Sequence, residues 1–167
     1  MCHAKTRNRR VGLQEIERTT ALEDPDVDVL FDHQADPQAV QMAAFPAREK
    51  DQFAAHWAKV RADEKLVTRT IVADGLVARY IGSWQEDGQQ LSYWVGREWW
   101  GRGVATQALA LLVDEVSMRP LYAHVAVHNL GSIRVLQNYG FRRDRVQEAK
   151  APAPEVGIEE YIFVLNA

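Results

Sequence analysis

The residues Trp100-Gly101-Arg102-Gly103-Val104-Ala105 concentrate more binding chemistry than any other stretch of this chain. Two glycines let a backbone come close to a ligand. An apolar helical pattern opens directly behind them, with Ala105, Leu109, Leu112 and Val116 at i, i+4, i+7 and i+11, and the first N–H groups of a helix have no internal partner. Those donors, the positive end of the helix dipole and the Arg102 cation together favour a pyrophosphate. The same residues would also make an ordinary tight corner. The turn is not a P-loop, because no Lys-Ser/Thr pair follows at the required spacing, and a GxGxxG dinucleotide fingerprint would need glycine at Thr106.

The elements that must position this turn are legible on both sides of it. Leu91, Tyr93 and Val95 alternate with Ser92, Trp94 and Gly96, the pattern of a strand. That strand closes a three-stranded antiparallel meander, Leu66–Ala73, Leu76–Trp84 and Gln89–Gly96, punctuated by Asp74-Gly75 and Asp87-Gly88, whose positive φ angles suit tight hairpins. Upstream, some of Leu13–Thr20 is expected to form a first strand. Asp26–Gln34 carries Val27, Leu30 and Phe31 at helical spacing behind an Asp24-Pro25 start signal. Ala39–Phe45 reads as a small apolar connection, and Ala47–Asp63 as an amphipathic helix with Phe53, Trp57 and Val60 on one face. Downstream come a strand at Leu121–Val127, a short helix at Asn129–Asn138 closed by Gly140, and a final hairpin, Phe141–Val146 with Val156–Leu165, across the Ala151–Pro154 loop. Strands and helices that alternate only in the second half predict a mixed α/β (α+β) fold.

At 167 residues, 47% hydrophobic and 26% charged, the chain reads as one globular domain over residues 13–167 preceded by a flexible arm over 1–12. Lys5, Arg7, Arg9 and Arg10 make that arm basic, and Cys2-His3 could chelate a metal there, although a frayed end suits it equally. A net charge of −3 argues against a general nucleic-acid binder. No apolar run approaches membrane-crossing length, no signal peptide is evident, and a single cysteine permits no internal disulfide, which fits a cytoplasmic protein. The five histidines show no ligand spacing that implies a metal.

The turn resembles the acyl-CoA signature of the GNAT N-acetyltransferases, Gln/Arg-x-x-Gly-x-Gly/Ala, with Trp100 at the Gln/Arg position, a departure seen in the branch resembling ribosomal-protein N-terminal acetyltransferases. A second matching segment is Asn129 and Ser132 followed by Gly140-Phe141, similar to the family's Asn-x-x-Ser/Ala…Gly-Phe, and the likeness runs over roughly residues 20–165. The resemblance implies a GNAT fold: a central, mostly antiparallel sheet of about seven strands, splayed between strands 4 and 5, flanked by about four helices. It implies acetyl-CoA as acyl donor. Pantetheine would lie along Trp94, Val95 and Gly96, and pyrophosphate on Gly101, Gly103, Val104 and Ala105, with Trp100, Arg102 and the Thr106 hydroxyl beside it. Asn129 would contact the pantetheine arm and Ser132 the same end of the cofactor. A primary amine, of a small molecule or a peptide N-terminus, would attack directly in a ternary complex.

For that chemistry a protonated amine, titrating near ~10.4, must first lose its proton. His124 and His128 both fall on one face of the strand Leu121–Val127, and histidine is the natural acceptor near neutral pH; either could instead be exposed or simply packed. The Val95 N–H would stabilise the developing negative charge. The tyrosine acid that relatives often carry seven residues after the Asn is replaced by Leu136, which leaves Ser132 as the nearest hydroxyl and Tyr139 just beyond. The catalytic candidates are therefore Ser132, His128, Asn129 and Val95. The acceptor side in relatives is built by the first helices and their connection, here His33, Asp36, Met42 and Phe45, joined by Trp84, Tyr93 and His124. No Lys or Arg lies between Thr19 and Ala47, so this side could be a negative rim that attracts amines, or its acids could merely cap helices. A homodimer is compatible with all of this. Two alternatives stay open: a catalytically silent CoA-binding GNAT domain acting as sensor or scaffold, and an unrelated nucleotide-binding domain that uses the same turn.

Overall fold

The computed structural model describes residues 16–148 and 158–166, with side chains from Ala21 onward; the expectations for the arm over 1–12 and for the Ala151–Pro154 loop fall outside the described residues. The elements are β1 (Ile16–Ala21), α1 (Asp24–Gln34), α2 (Pro37–Ala43), α3 (Lys50–Ala62), β2 (Val67–Ala73), β3 (Leu76–Gln85), β4 (Gln89–Val95), a 3-10 turn (Arg97–Trp99), α4 (Val104–Glu115), β5 (Leu121–Ala126), α5 (Leu130–Tyr139), β6 (Arg142–Glu148) and β7 (Glu159–Leu165). Seven strands form one sheet in the order β1-β2-β3-β4-β5-β7-β6. Every neighbouring pair is antiparallel except β4–β5, which is parallel and pairs only from Gln89–Leu91 to Leu121–Ala123. Past Leu91 the two strands part, and the expected splay is there.

The meander forms as its turns dictate. Asp74 and Gly75 take φ of 51° and 73° between the paired Ala73 and Leu76, and Asp87 and Gly88 take 46° and 105° before Gln89. Five α-helices are present among the described residues, one more than expected, because the segment read as a connection is helix α2. The reason is local: Asp36 caps it, accepting from the Gln38 and Ala39 N–H groups, Pro37 occupies the first turn, and Ala44 closes it at φ 51°. The Asp-Pro pair that ends α1 also starts α2.

Two apolar cores lie on opposite faces of the sheet, and the register slip at Arg79 shifts the alternation of β3 by one residue between them. Ala78 and Ile81 face the larger core with Leu109 and Leu112 of α4 and Phe163 of β7; Val77 and Tyr80 face the smaller, with Leu30 of α1 and Phe53 and Trp57 of α3. The smaller core is aromatic, with Trp57 edge-on to Tyr80 at 4.8 Å between ring centroids. The acidic run upstream is spent on local structure. Glu23 and Asp26 form a capping box, Asp26 also accepts from the Thr70 hydroxyl at 2.7 Å, and Asp24 pairs with Arg61.

Candidate active site

The splay opens into a cleft of about 820 Å³ that crosses the sheet. On the α1–α3 side its floor carries Tyr80, Trp84, Ser92, Trp94 and His124, and its roof is Phe53 and Trp57 of α3 with Phe45 and Arg48 of the α2–α3 connection. Gln34, buried at the end of α1, fixes that connection by a reciprocal pair: its Nε2 donates to the Arg48 carbonyl (2.7 Å) and its Oε1 accepts from the Arg48 N–H (3.0 Å). Through the gap the cleft reaches Tyr93, Asn129 and Ser132.

The gap itself is framed by polar groups of β4 and the start of α5. Tyr93 on β4 donates its hydroxyl to the Ser132 carbonyl at 3.2 Å, bridging the parted strands at the start of α5. Burial pushes the Tyr93 phenol up to about 12, against a smaller opposing pull from that hydrogen bond, so it keeps its proton at any working pH. The Asn129 Oδ1 accepts from the Ser132 N–H at 3.1 Å and caps α5, which leaves the amide nitrogen as the group Asn129 can offer a ligand. Val95 presents its backbone to the gap. The next residue, Gly96, donates its N–H across to the Ala78 carbonyl of β3 (2.9 Å), and consecutive strand residues address opposite neighbours. The Val95 carbonyl is taken by the Trp100 indole N–H at 2.9 Å, so only its N–H is open to a ligand; Trp100 ties the turn to the strand.

The turn has the predicted form. Gly101 and Gly103 stand at φ 72° and 80°, conformations that favour glycine, and no side chain caps α4. A Cβ at Gly101 would meet nothing within 4 Å. The leading N–H groups of Val104, Ala105 and Thr106 are thus aimed at space beside the exposed Arg102, whose guanidinium lies 5.6 Å over the Trp99 ring. Uncapped donors, a bare approach and a cation fit a pyrophosphate.

The candidate base differs from expectation. His128 lies beyond the end of β5, outside the cleft, with Nε2 at 2.9 Å from the Gln41 carbonyl of α2; the strand stops at Ala126, so alternation no longer governs its direction. His124 lines the cleft. Its Nδ1 is 2.8 Å from the Glu160 carboxylate of β7, which also accepts from Gln147 Nε2 at 2.8 Å. A carboxylate on one ring nitrogen fixes the tautomer and leaves Nε2 as acceptor. Glu160 and Gln147 went unnoticed in the sequence, because only the β5–β7–β6 pairing brings them to His124.

On the acceptor side Phe45, Trp84, Tyr93 and His124 line the cleft; His33, Asp36 and Met42 do not. Asp36 caps α2 and pairs with Arg97 at 2.8 Å, and His33 Nε2 is 3.2 Å from the Glu98 carboxylate, so both fasten α1 and α2 to the turn behind β4. Burial depresses the pKa of His33, though Glu98 pulls the other way, and burial with Arg48 and Lys59 nearby depresses that of His56. Below the ordinary value of 6.5 the unfolded chain takes up protons that these folded imidazoles refuse. Stability is therefore full above that value and lost as the pH falls toward the depressed folded values. A melting temperature measured between about pH 7.5 and 5.5 should fall, and fall less in His33→Gln/His56→Gln; equal slopes would exclude these two groups. Among the described residues no three His, Cys, Asp or Glu side chains form a metal-ligand group, and no helix is long and apolar enough to cross a membrane.

The sequence profile of the acetyltransferase (GNAT) domain matches residues 18–142. Comparison with curated protein sequences gives no match. The fold is shared with spermidine N-acetyltransferase from Vibrio cholerae, solved with CoA and spermine (TM-score 0.77, 14% identity, covering 89% of this chain and 94% of that one). It is shared also with Mycobacterium smegmatis RimJ in complex with CoA-disulfide (0.74, 17%, 92% and 87%). A third likeness is the microcin C7 self-immunity acetyltransferase MccE with acetyl-CoA and AMP (0.74, 14%, 89% and 91%).

Proposed function

The chain belongs to the acetyltransferase (GNAT) family, enzymes that take an acetyl group from acetyl-CoA, and we propose that it transfers that group to a primary amine held in the cleft above His124. Membership removes the third alternative, an unrelated nucleotide-binding domain. The observation that carries the proposal is the His124–Glu160 pair on the floor of the cleft, on the strand that borders the gap. Trp100 at the head of the turn supports placement in the branch resembling ribosomal-protein N-terminal acetyltransferases. Residues 13–167 are taken as one catalytic domain.

Acetyl-CoA, when bound, supplies the thioester carbonyl that an amine can attack; the uncapped start of α4, Gly101, Gly103 and Arg102 would hold its pyrophosphate, and the amide nitrogen of Asn129 its pantetheine arm. His124 Nε2 takes the proton from the amine, with Glu160 holding the ring and stabilising the imidazolium. The Val95 N–H, facing the gap, donates to negative charge as it builds on the carbonyl oxygen. Tyr93 and Ser132 are the hydroxyls at the gap, and Tyr93, held protonated by burial, takes the place of the missing tyrosine of α5 as proton donor to the departing sulfur. Leu136, 1% exposed, sits where that tyrosine is absent, and it alone favours a silent CoA-binding domain.

Thiol release measured over a panel of amines decides between the two. Turnover on any amine, lowered at least tenfold by Tyr93→Phe with acetyl-CoA affinity kept, supports the transferase with Tyr93 as acid. A tenfold loss confined to Ser132→Ala would move that role to Ser132. Acetyl-CoA binding without turnover on any amine would favour the silent domain.

A further inference from the structure

Arg79 stands apart from every charged group considered so far. It is 2% exposed, it lines the cleft, and its Nε and Nη1 are buried without a hydrogen-bond partner. A buried cation is costly unless its donors are satisfied. What surrounds it supplies charge without satisfying those donors. The guanidinium lies 3.9 Å over the Trp94 ring and 5.9 Å from that of Tyr80. The nearby Glu98 carboxylate is turned to His33. Burial lowers its pKa to about 10, with Tyr80 and Glu98 pulling it back up, so it is still charged near neutral pH.

The backbone is deformed to put it there. Pairing with β2 slips at this point, from Ile71 opposite Arg79 to Val72 opposite Val77, and Arg79 takes φ 143°, outside the comfortable range for a side-chain-bearing residue. Bulges re-aim side chains, and strained residues of this type gather at binding sites. The lining carries cations at Arg79, at Arg48 on the α2–α3 connection and at Arg145, which lies level with His124 across β7, and acids at Glu160, Glu86 and Asp87. Trp94 belongs to β4, the strand that borders the gap, so a group held on the Arg79 guanidinium lies within one or two strand spacings, ~5–10 Å, of the reacting edge.

From this geometry we infer that the acceptor is a small amine bearing an anionic group, a carboxylate or a phosphate monoester, which binds the free Nε and Nη1 of Arg79 while the amine faces His124. This deepens the transferase reading and rests on it for the role of the amine. It separates the protein from acetyltransferases of polyamines, whose second charge is positive and would meet Arg79 unfavourably, and it bounds the linker between amine and anion to a few bonds. A planar guanidinium with two open N–H groups suits either oxyanion.

The test is calorimetric binding to the full chain in the presence of CoA, using amines of similar size: 4-aminobutyrate, 2-aminoethyl phosphate, ethanolamine and putrescine. The expected result is that one or both anionic amines bind at least tenfold tighter than ethanolamine, with putrescine weakest; which anion leads identifies the group. In Arg79→Gln that preference collapses while ethanolamine and acetyl-CoA bind as before. Equal binding of all four, a lead for putrescine, or a preference that survives Arg79→Gln would overturn the inference. The wild-type series stands without the variant should that variant not fold. A separate acetyl-CoA titration keeps the two readings distinct: anion preference lost with acetyl-CoA bound removes only this inference, whereas anion preference without acetyl-CoA binding removes the transferase reading.

Discussion

Gly103→Glu is expected to cost at least a hundredfold in acetyl-CoA affinity. Gly103 is the N-cap of α4 at φ 80°, where a residue with a Cβ pays about 1–2 kcal/mol for a left-handed backbone. The carboxylate would lie at the uncapped N–H groups, where it satisfies the donors and meets the pyrophosphate with like charge. The measurement is a thermal-shift titration. A ligand at a hundred times its Kd stabilises a protein by about 2.7 kcal/mol, readily seen in the wild type and reduced to about 0.4 kcal/mol or less at the same concentration in the variant. Gly103→Ala separates the contributions, since it keeps the strain and lacks the charge, and should retain most of the ligand shift. A full shift in Gly103→Glu would show that the turn does not hold the phosphates.

His124→Ala is expected to lower kcat on the order of 10²–10⁴-fold, the range a positioned base contributes, with acetyl-CoA affinity unchanged. Glu160→Gln should lose less. It keeps a hydrogen-bonding partner for Nδ1 and so holds the ring in place, while it forfeits the charge that stabilises the imidazolium. His128→Ala, whose ring bonds the Gln41 carbonyl away from the cleft, should leave kcat within a few-fold. The opposite pattern, with His128 essential and His124 dispensable, would discard the assignment of the base.

The parts of this molecule that could be read from the chain are those set by neighbours in sequence. The Asp-Gly hairpins, the period of α4 and the glycine turn each declare themselves within a few residues, and all are present. What escaped detection depends on residues far apart. Glu160 becomes the partner of His124 only when β7 inserts between β5 and β6, and Arg79 becomes a cleft residue only through a slip against β2. Helix α2 was missed because its seven residues carry little periodicity and its cap reads equally well as a break. The acids of α1 and α2 were legible as charge with two readings open, a rim or helix caps: Asp36 finds Arg97 across 61 positions of sequence, and Glu23, Asp24, Asp26 and Asp36 serve as caps and ties.

Those ties join the two sides of the proposed ternary complex. Asp36 and Gln38 grip Arg97, and His33 grips Glu98, so α1 and α2, which precede the connection that roofs the cleft, are fastened to the loop that leads into the glycine turn. In the proposed ternary complex the two halves would meet through one set of side chains. Any ordering that bound acetyl-CoA imposed on that loop would be felt by the acceptor end, and thermodynamic reciprocity would then require the acceptor to return the same free energy. Occupancy at one end would then be information at the other, carried by ion pairs that salt can weaken.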